Sequence, residues 1–361
     1  MLETKVESEK TALDIKKVEE FAGQVISDMA ACASGLLHLI GHELGLYKAM
    51  KDQGFVTSKE LAEKTGTYER YVREWLNNQA AGGYVLYDPS TKKYSLPAEH
   101  AFVLADEDSP AFMSAGYYIV SSLWNDKEKL ARVFRTGEGF GWHEHNHDLF
   151  FGTESFFRPG YKANLIESWL PSLDGISERL RLGGRVADVG CGHGSSTIIM
   201  AEAYPNAEFI GYDYHQGSVD VATERAKEKG LNNVRFIRAS AENFDDGKYD
   251  LICFMDSFHD MGNPLKAAAN SRERLTKTGK LMLVEPLAGD NPEDNFNPIG
   301  RMFYAASTLI CVPNSHSQEG DFTIGAQAGP SRTQDILRCA GFTNVRVVQK
   351  TMVNLIYEAS M

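Results

Sequence analysis

Three stretches of the chain carry residue types that could do chemistry. In the first, Asp188, Gly190, Gly192 and Gly194 alternate with Val189, Cys191 and His193. Glycines let a backbone take left-handed angles and pass close to a ligand. Asp213 ends the next apolar run, "AEFIGYD", 23 positions beyond Gly190. A carboxylate placed there can accept both hydroxyls of a ribose. The second stretch is "DSFHDMGNP", where His259 has the side chain whose ordinary pKa suits proton acceptance near neutral pH. The bland alternative is a histidine that caps the following helix. The third is "GWHEHNHDLF", with His143, His145 and His147 interleaved with Glu144 and Asn146. Three histidines spaced by two share one side of an extended segment and could bind zinc, as could His143 and His147 on a helix.

Two cofactor classes use a glycine turn followed by a strand-end acid. A dinucleotide site wants G-x-G-x-x-G, but the sixth position is Ser195. Three glycines at alternate positions, with Asp188 just before them, fit S-adenosylmethionine better: it has no pyrophosphate, and its ammonium suits an acidic, carbonyl-rich loop. Asp188 is expected beside the methionine moiety, or else as a helix cap. Tyr214 is expected over the adenine, or in surface packing. Phe254 and Asp256 end the fourth strand, where ligands bind in open α/β sheets, and are expected to line the cofactor. Displacement at a sulfonium methyl needs no Lewis acid, and no cysteine or carboxylate cluster offers the histidines a matching half-site. No metal is expected. His143, His145, His147 and, in the long stretch "STLICVPNSHSQEGDFTIGAQAG", His316 are read as substrate-pocket residues, with polar loop structure as the alternative.

The elements that must position these residues follow from periodicity. "RVADV", "AEFIGYD", "NVRFIRAS", "YDLICFMDS" and "GKLMLVEP" are β-rich runs separated by helical ones, which implies a doubly wound parallel sheet. "TNVRVVQK" and "VNLIYEA" are joined by too few residues for a parallel crossover, so the last strand must be antiparallel. Upstream, apolar residues from Glu19 to Met50 recur at helical spacing. "TSKELAEKTG" gives a short helix capped by Ser58 and closed by Gly66. "YERYVREWLNNQAAGGYV" gives a second helix, and a hairpin forms around Asp88-Pro89-Ser90. That outline is a winged helix. Residues 105–175 read as helical.

Composition bounds the function. The chain has 361 residues, enough for two domains, with a net charge of −12. Phosphate backbones and anionic membranes repel such a chain unless it carries a basic patch. Residues 55–100 hold six basic and six acidic side chains, so a nucleic-acid role is not expected. Five scattered cysteines suit a reducing compartment. "MLETKVESEK" lacks a signal-peptide core, and no apolar run is read as a membrane span. The chain is expected to be cytoplasmic.

Taken together, "VADVGCGHGSS", "GYDYH" and "FHDMGNP", with "VEP", "YAASTLICVP", "GAQAG" and "NLIYEA", resemble class I S-adenosylmethionine-dependent methyltransferases, in a bacterial-type subfamily with an N-terminal winged helix. The resemblance covers nearly the whole chain. It implies a Rossmann-like seven-stranded sheet and methyl transfer to oxygen or nitrogen of a small molecule. It implies His259 as general base, since related O-methyltransferases place a histidine followed by an aspartate there. Where the family has an acid near the adenine this chain has Ser240, followed by Ala241 and Glu242, which are carried over as cofactor neighbours. The expected organisation is a winged-helix-like dimerisation domain over 1–105, a helical connector and lid over 106–175, and the methyltransferase domain over 176–361, assembled as a homodimer. The competing reading is a winged-helix regulator whose methyltransferase-like half senses a ligand.

Overall fold

The computed structural model describes residues 13–318 and 322–361; "MLETKVESEK" lies outside them. The chain forms two compact units, 1–106 and 107–361. The stretch expected as a connector is therefore part of the second unit.

The first unit holds α1 (Ile15–Glu43), α2 (Leu46–Met50), α3 (Ser58–Thr65), α4 (Glu69–Ala81), β1 (Leu86–Asp88), β2 (Lys93–Ser95) and α5 (Ala98–Leu104). Gly45, at φ 67°, breaks α1 from α2. Thr57, not Ser58, caps α3, in a reciprocal capping box with Glu60. The antiparallel β1–β2 hairpin forms where Asp88-Pro89-Ser90 predicts it. Tyr47, Leu61, Val72, Trp75 and Leu76 close the core. In α1 only Gly35, His38, Leu39 and Gly41 are buried. Val18, Phe21, Val25, Met29, Leu36 and Ile40 lie exposed at spacings of three and four or their multiples. By length and composition α1 could cross a membrane, a correction to the expectation that no segment could. Its polar residues Gln24, Ser27, Asp28 and Ser34 interrupt the apolar surface at helical spacing.

The second unit begins with α6 (Gly116–Asn125), α7 (Lys127–Thr136), α8 (Asp148–Asn164) and α9 (Ile176–Arg181). Then β3 (Arg185–Val189), α10 (Ser195–Ala203), β4 (Glu208–Asp213), α11 (Gln216–Glu228), β5 (Val234–Arg238), β6 (Tyr249–Met255), α12 (Pro264–Arg274) and β7 (Leu275–Pro286) alternate. Beyond β7 come α13 (Pro298–Ala306), α14 (Val312–Ser317), α15 (Gly329–Cys339), β8 (Asn344–Lys350) and β9 (Asn354–Ser360). The seven strands run in the order β5-β4-β3-β6-β7-β9-β8, with β9 antiparallel to both neighbours. The long stretch that holds His316 is helical from Ser307 through Ser317, with a π turn at Ser307–Cys311.

Alternation along the strands makes two apolar layers. Ala187, Val189, Ile252 and Phe254 pack on one face; Val186, Leu251, Cys253 and Met255 pack on the other. A sheet covered on both faces needs such continuous apolar runs. Strand order reverses beside β3, whose neighbours are β4 and β6. A crevice opens at the carboxyl ends of the strands at such a switch point.

Candidate active site

That crevice is a cavity lined from three sides. The turn after β3 contributes Gly190 and Gly192, the end of β4 contributes Asp213 and Tyr214, and the end of β6 contributes Met255, Asp256 and Ser257. Helix α8 closes it with Phe150, Thr153, Glu154, Phe157 and Tyr161, which recur on one helical face.

Gly190 has φ 73°, and an added Cβ would stand 2.7 Å from the Ser257 Cβ. Gly192 has φ 53°, but nothing lies within 4 Å of its Cβ position. The first glycine is needed for close packing; the second leaves open space in the cavity wall. One oxygen of Asp213 accepts from Gly192 N at 2.9 Å and the other from His215 N at 2.9 Å. Asp213 thus fixes the glycine turn while facing the cavity. Burial raises its pKa, against those two backbone bonds. Tyr214 lines the same space, with its hydroxyl 3.2 Å from Asn314 Oδ1.

Asp256 is a non-glycine residue at φ 51°, in backbone that side chains seldom adopt outside functional or tightly held positions. It accepts from the Tyr161 hydroxyl at 2.8 Å and from Asn354 Nδ2 at 2.6 Å. Burial is the main cause that pushes its carboxyl up to about 7, with Glu285 adding to the rise and Tyr161 opposing it.

Several expected site residues do not line the cavity. Asp188 is fully buried and accepts from the hydroxyls of Ser196 and Thr197 at 2.6 and 2.7 Å. It anchors the first turn of α10 to β3, which is the alternative role. Gly194 has no cavity face; its Cβ position is 2.7 Å from the Phe236 ring. Phe254 points into the core, because alternation turns it away from the crevice. Ala241 packs in that core, and Glu242 pairs with Lys266 at 3.7 Å.

His259 sits behind the wall, and its neighbour Asp260 faces the cavity. His259 Nδ1 is 2.9 Å from Glu285 Oε2, and Nε2 is 3.4 Å from Asp260 Oδ1. Burial alone would lower its pKa, but the two carboxylates outweigh burial and hold it well above the ordinary value. His259 thus faces Glu285 and Asp260 and does not line the cavity where the expected general base would meet a substrate.

The histidine-rich stretch folds as a short 3-10 turn, Trp142–Glu144, leading into α8. His145 is buried, with Nδ1 3.0 Å from Asp126 Oδ2. Asp126 also accepts from Asn146 N at 2.8 Å. His143 and His147 are exposed, as is His316. His143 stacks on His215 at a ring distance of 5.8 Å, one ring outward from the cavity wall. None of the four lines this cavity. The side chain of the stretch that matters is Trp142, which lines the cavity and donates from Nε1 to Asp260 Oδ2 at 2.9 Å. Sequence reasoning missed Trp142, Glu154 and Tyr161. The helical spacing of Phe150, Phe157 and Tyr161 was the only signal, and it matches ordinary core packing equally well.

Comparison with known proteins agrees with this architecture. Residues 32–106 match the family model of the Rv2258c-like winged HTH domain, and residues 181–318 match a methyltransferase domain model. YcgJ of Bacillus subtilis, an uncharacterized methyltransferase, is 33% identical over 110 residues, which are 30% of this chain and 43% of YcgJ. The chain thus spans less than half the length of that relative. An O-methyltransferase family protein from Burkholderia thailandensis superposes with a TM-score of 0.67 at 15% identity, covering 97% of this chain and 98% of that one. Human N-acetylserotonin methyltransferase in complex with SAM gives 0.63 at 16% identity, over 94% and 97%. The chain thus joins a segment that matches a winged helix-turn-helix domain to one that matches a methyltransferase domain, on the fold shared with these methyltransferases.

Proposed function

We propose that the protein transfers a methyl group from S-adenosylmethionine to oxygen or nitrogen of a small, partly apolar acceptor. The observation that carries this reading is the cavity at the strand switch point. Gly192 leaves its wall open, Asp213 faces it, and Glu154, Asp256 and Asp260 line it with no lysine or arginine among the described lining residues. Such a wall fits a sulfonium cation.

Bound there, the cofactor supplies an electrophilic methyl carbon. Asp213 holds the ribose hydroxyls, and the amides of the glycine turn meet the amino-acid end. Phe150, Phe157 and Met261 give the acceptor an apolar surface that excludes water. With His259 behind the cavity wall, proton acceptance passes to Asp256, which lines it and is oriented by Tyr161 and Asn354. Its pKa of about 7 would suit it to take the hydroxyl proton of an acceptor that displaces the thioether from the sulfonium methyl. Calorimetry with S-adenosylmethionine tests the cofactor assignment. Asp213→Ala should weaken binding by roughly 1.5 to 3 kcal/mol, the worth of a hydrogen bond to a charged group. Unchanged affinity sinks the ribose assignment, and binding of NADH in its place sinks the whole reading. A metabolite-extract assay with labelled methyl donor then identifies the acceptor.

The exposed stripe of α1 is covered, in this reading, by a second copy of the chain. Phe21 and Met29 are each 66% exposed and Leu36 62%, and spacings of three and four are those of a helix–helix seam. The dimer forms in the cytoplasm and needs no membrane or nucleic acid. The winged helix-turn-helix match favours a second reading, a ligand-sensing regulator. The exposed charges of α4 argue against it, because both of its arginines are paired, Arg70 with Glu74 and Arg73 with Glu69. Sequence-selective retention of duplex DNA would revive it.

A further inference from the structure

We propose that His259, Asp260 and Cys311 form a binding site for a borderline divalent cation of the zinc type, at the inner wall of the cavity. The sequence gives no sign of it: His259 and Asp260 follow β6, while Cys311 ends the π turn before α14. Folding brings one ligand atom from each within 4.8 Å of the others, and all three residues are buried. An imidazole nitrogen, a carboxylate oxygen and a thiolate are the donors that zinc prefers, and three protein donors leave a fourth position open.

Two further observations point to a ligand. Asp260 Oδ1 is buried and has no hydrogen-bond partner. It is aimed by contacts that use the rest of the residue. Trp142 Nε1 donates to Oδ2, and Asn314 Nδ2 and Gln318 Nε2 donate to the backbone carbonyl at 3.2 and 2.8 Å. In addition, Glu285 holds His259 Nδ1. A metal-binding histidine commonly gives its other ring nitrogen to a carboxylate in this way, fixing the tautomer and orienting the ring.

Charge balance permits the exchange. Without metal, one imidazolium faces two carboxylates. The cation displaces the proton on His259 Nε2 and the thiol proton of Cys311, both to solvent. The thiolate and the two carboxylates then offset its two positive charges, so the buried net charge stays at minus one. With the cation on Nε2 and Glu285 on Nδ1, His259 has no lone pair for a substrate proton. Asp260 faces the cavity, so the open position is turned towards whatever the cavity holds. The site stands whether or not the protein transfers methyl groups.

The test is titration of chelator-treated full-length protein with cobalt(II) or zinc(II) alone. About one equivalent of cobalt should bind, with a thiolate-to-cobalt charge-transfer band in the near ultraviolet and intense visible bands of a four-coordinate ion. Cys311→Ser, checked for folding by circular dichroism, should lose the charge-transfer band and at least tenfold in affinity. Asp260→Asn should keep that band and weaken binding. The double change His143→Ala and His147→Ala should alter neither. Wild-type protein that stays colourless overturns the site. So does binding that survives Cys311→Ser with its band intact, or that disappears with His143 and His147.

Discussion

Asp256 combines three unfavourable features: left-handed backbone, a carboxyl half-buried at the cavity wall, and proximity to Glu285. They persist because Tyr161 and Asn354 hold both carboxylate oxygens. Asp256→Ala would take the acceptor from the Tyr161 hydroxyl, leave Asn354 Nδ2 with only its longer bond to Glu285 O, and keep a side chain in strained backbone. It should destabilise the fold by about 1 to 3 kcal/mol, measured as a lower urea midpoint. A change under a few tenths of that would mean the two bonds carry no weight. Gly192 behaves differently, because its Cβ position opens on empty cavity. Gly192→Ala should fold, at a cost of about 1 to 2 kcal/mol for left-handed backbone, while its methyl projects into the space assigned to the cofactor. Calorimetry should show at least tenfold weaker S-adenosylmethionine binding. Wild-type affinity would place the cofactor elsewhere.

Helix α1 is held in the first unit by a narrow contact. Gly41 brings its backbone against Trp75, whose ring lies 2.5 Å from the position of an added Cβ, and Trp75 Nε1 donates to Leu37 O at 2.8 Å. His38 lies beside this contact, 3.0 Å from the Tyr47 hydroxyl. Burial, with a smaller push from His42, lowers its pKa from 6.5 to about 4. The folded state therefore resists a proton that the unfolded chain accepts. Stability should be full above about pH 6.5 and fall as pH drops towards 4, by up to roughly 3 kcal/mol. Urea denaturation at pH 7 and pH 4.5 checks this. His38→Gln should be less stable at pH 7 but show a flatter pH dependence; an equal slope in both proteins would clear His38 of the effect.

For the molecule as a whole, the exposed stripe of α1 and the charge of −12 set how the chain meets others. Reversing the stripe with Phe21→Glu and Met29→Glu should convert a dimer to a monomer in sedimentation at micromolar concentration, without changing the circular dichroism of the second unit's sheet. A wild-type monomer would refute the seam. Wild-type protein that instead floats with anionic or neutral vesicles would assign the stripe to a membrane surface. Duplex DNA should not be retained at physiological salt, since an acidic chain with its α4 arginines already paired has few cations to replace counterions.

The parts of this protein legible from sequence are those whose physics is local. Glycines at 190, 192 and 194 permit the left-handed turn between a strand and a helix, and an acid at a strand end faces the crevice because strands of this sheet end there. Gly190, Gly192, Asp213, the seven-stranded sheet and its antiparallel last strand were therefore readable from pattern alone. Strand parity would put Phe254 and Asp256, two positions apart, on one face, yet Phe254 fills the core while the left-handed backbone at Asp256 turns that residue to the cavity. The histidine-rich stretch was ambiguous because exposed, buried and ligand-binding histidines look alike in one dimension. Its meaning came from partners at long range. Trp142 meets Asp260 across 118 positions and Asn314 across 172, and Cys311 reaches His259 from the far side of β7. Spacing along a chain carries no record of such contacts, because they exist only once apolar burial has brought the separate elements together.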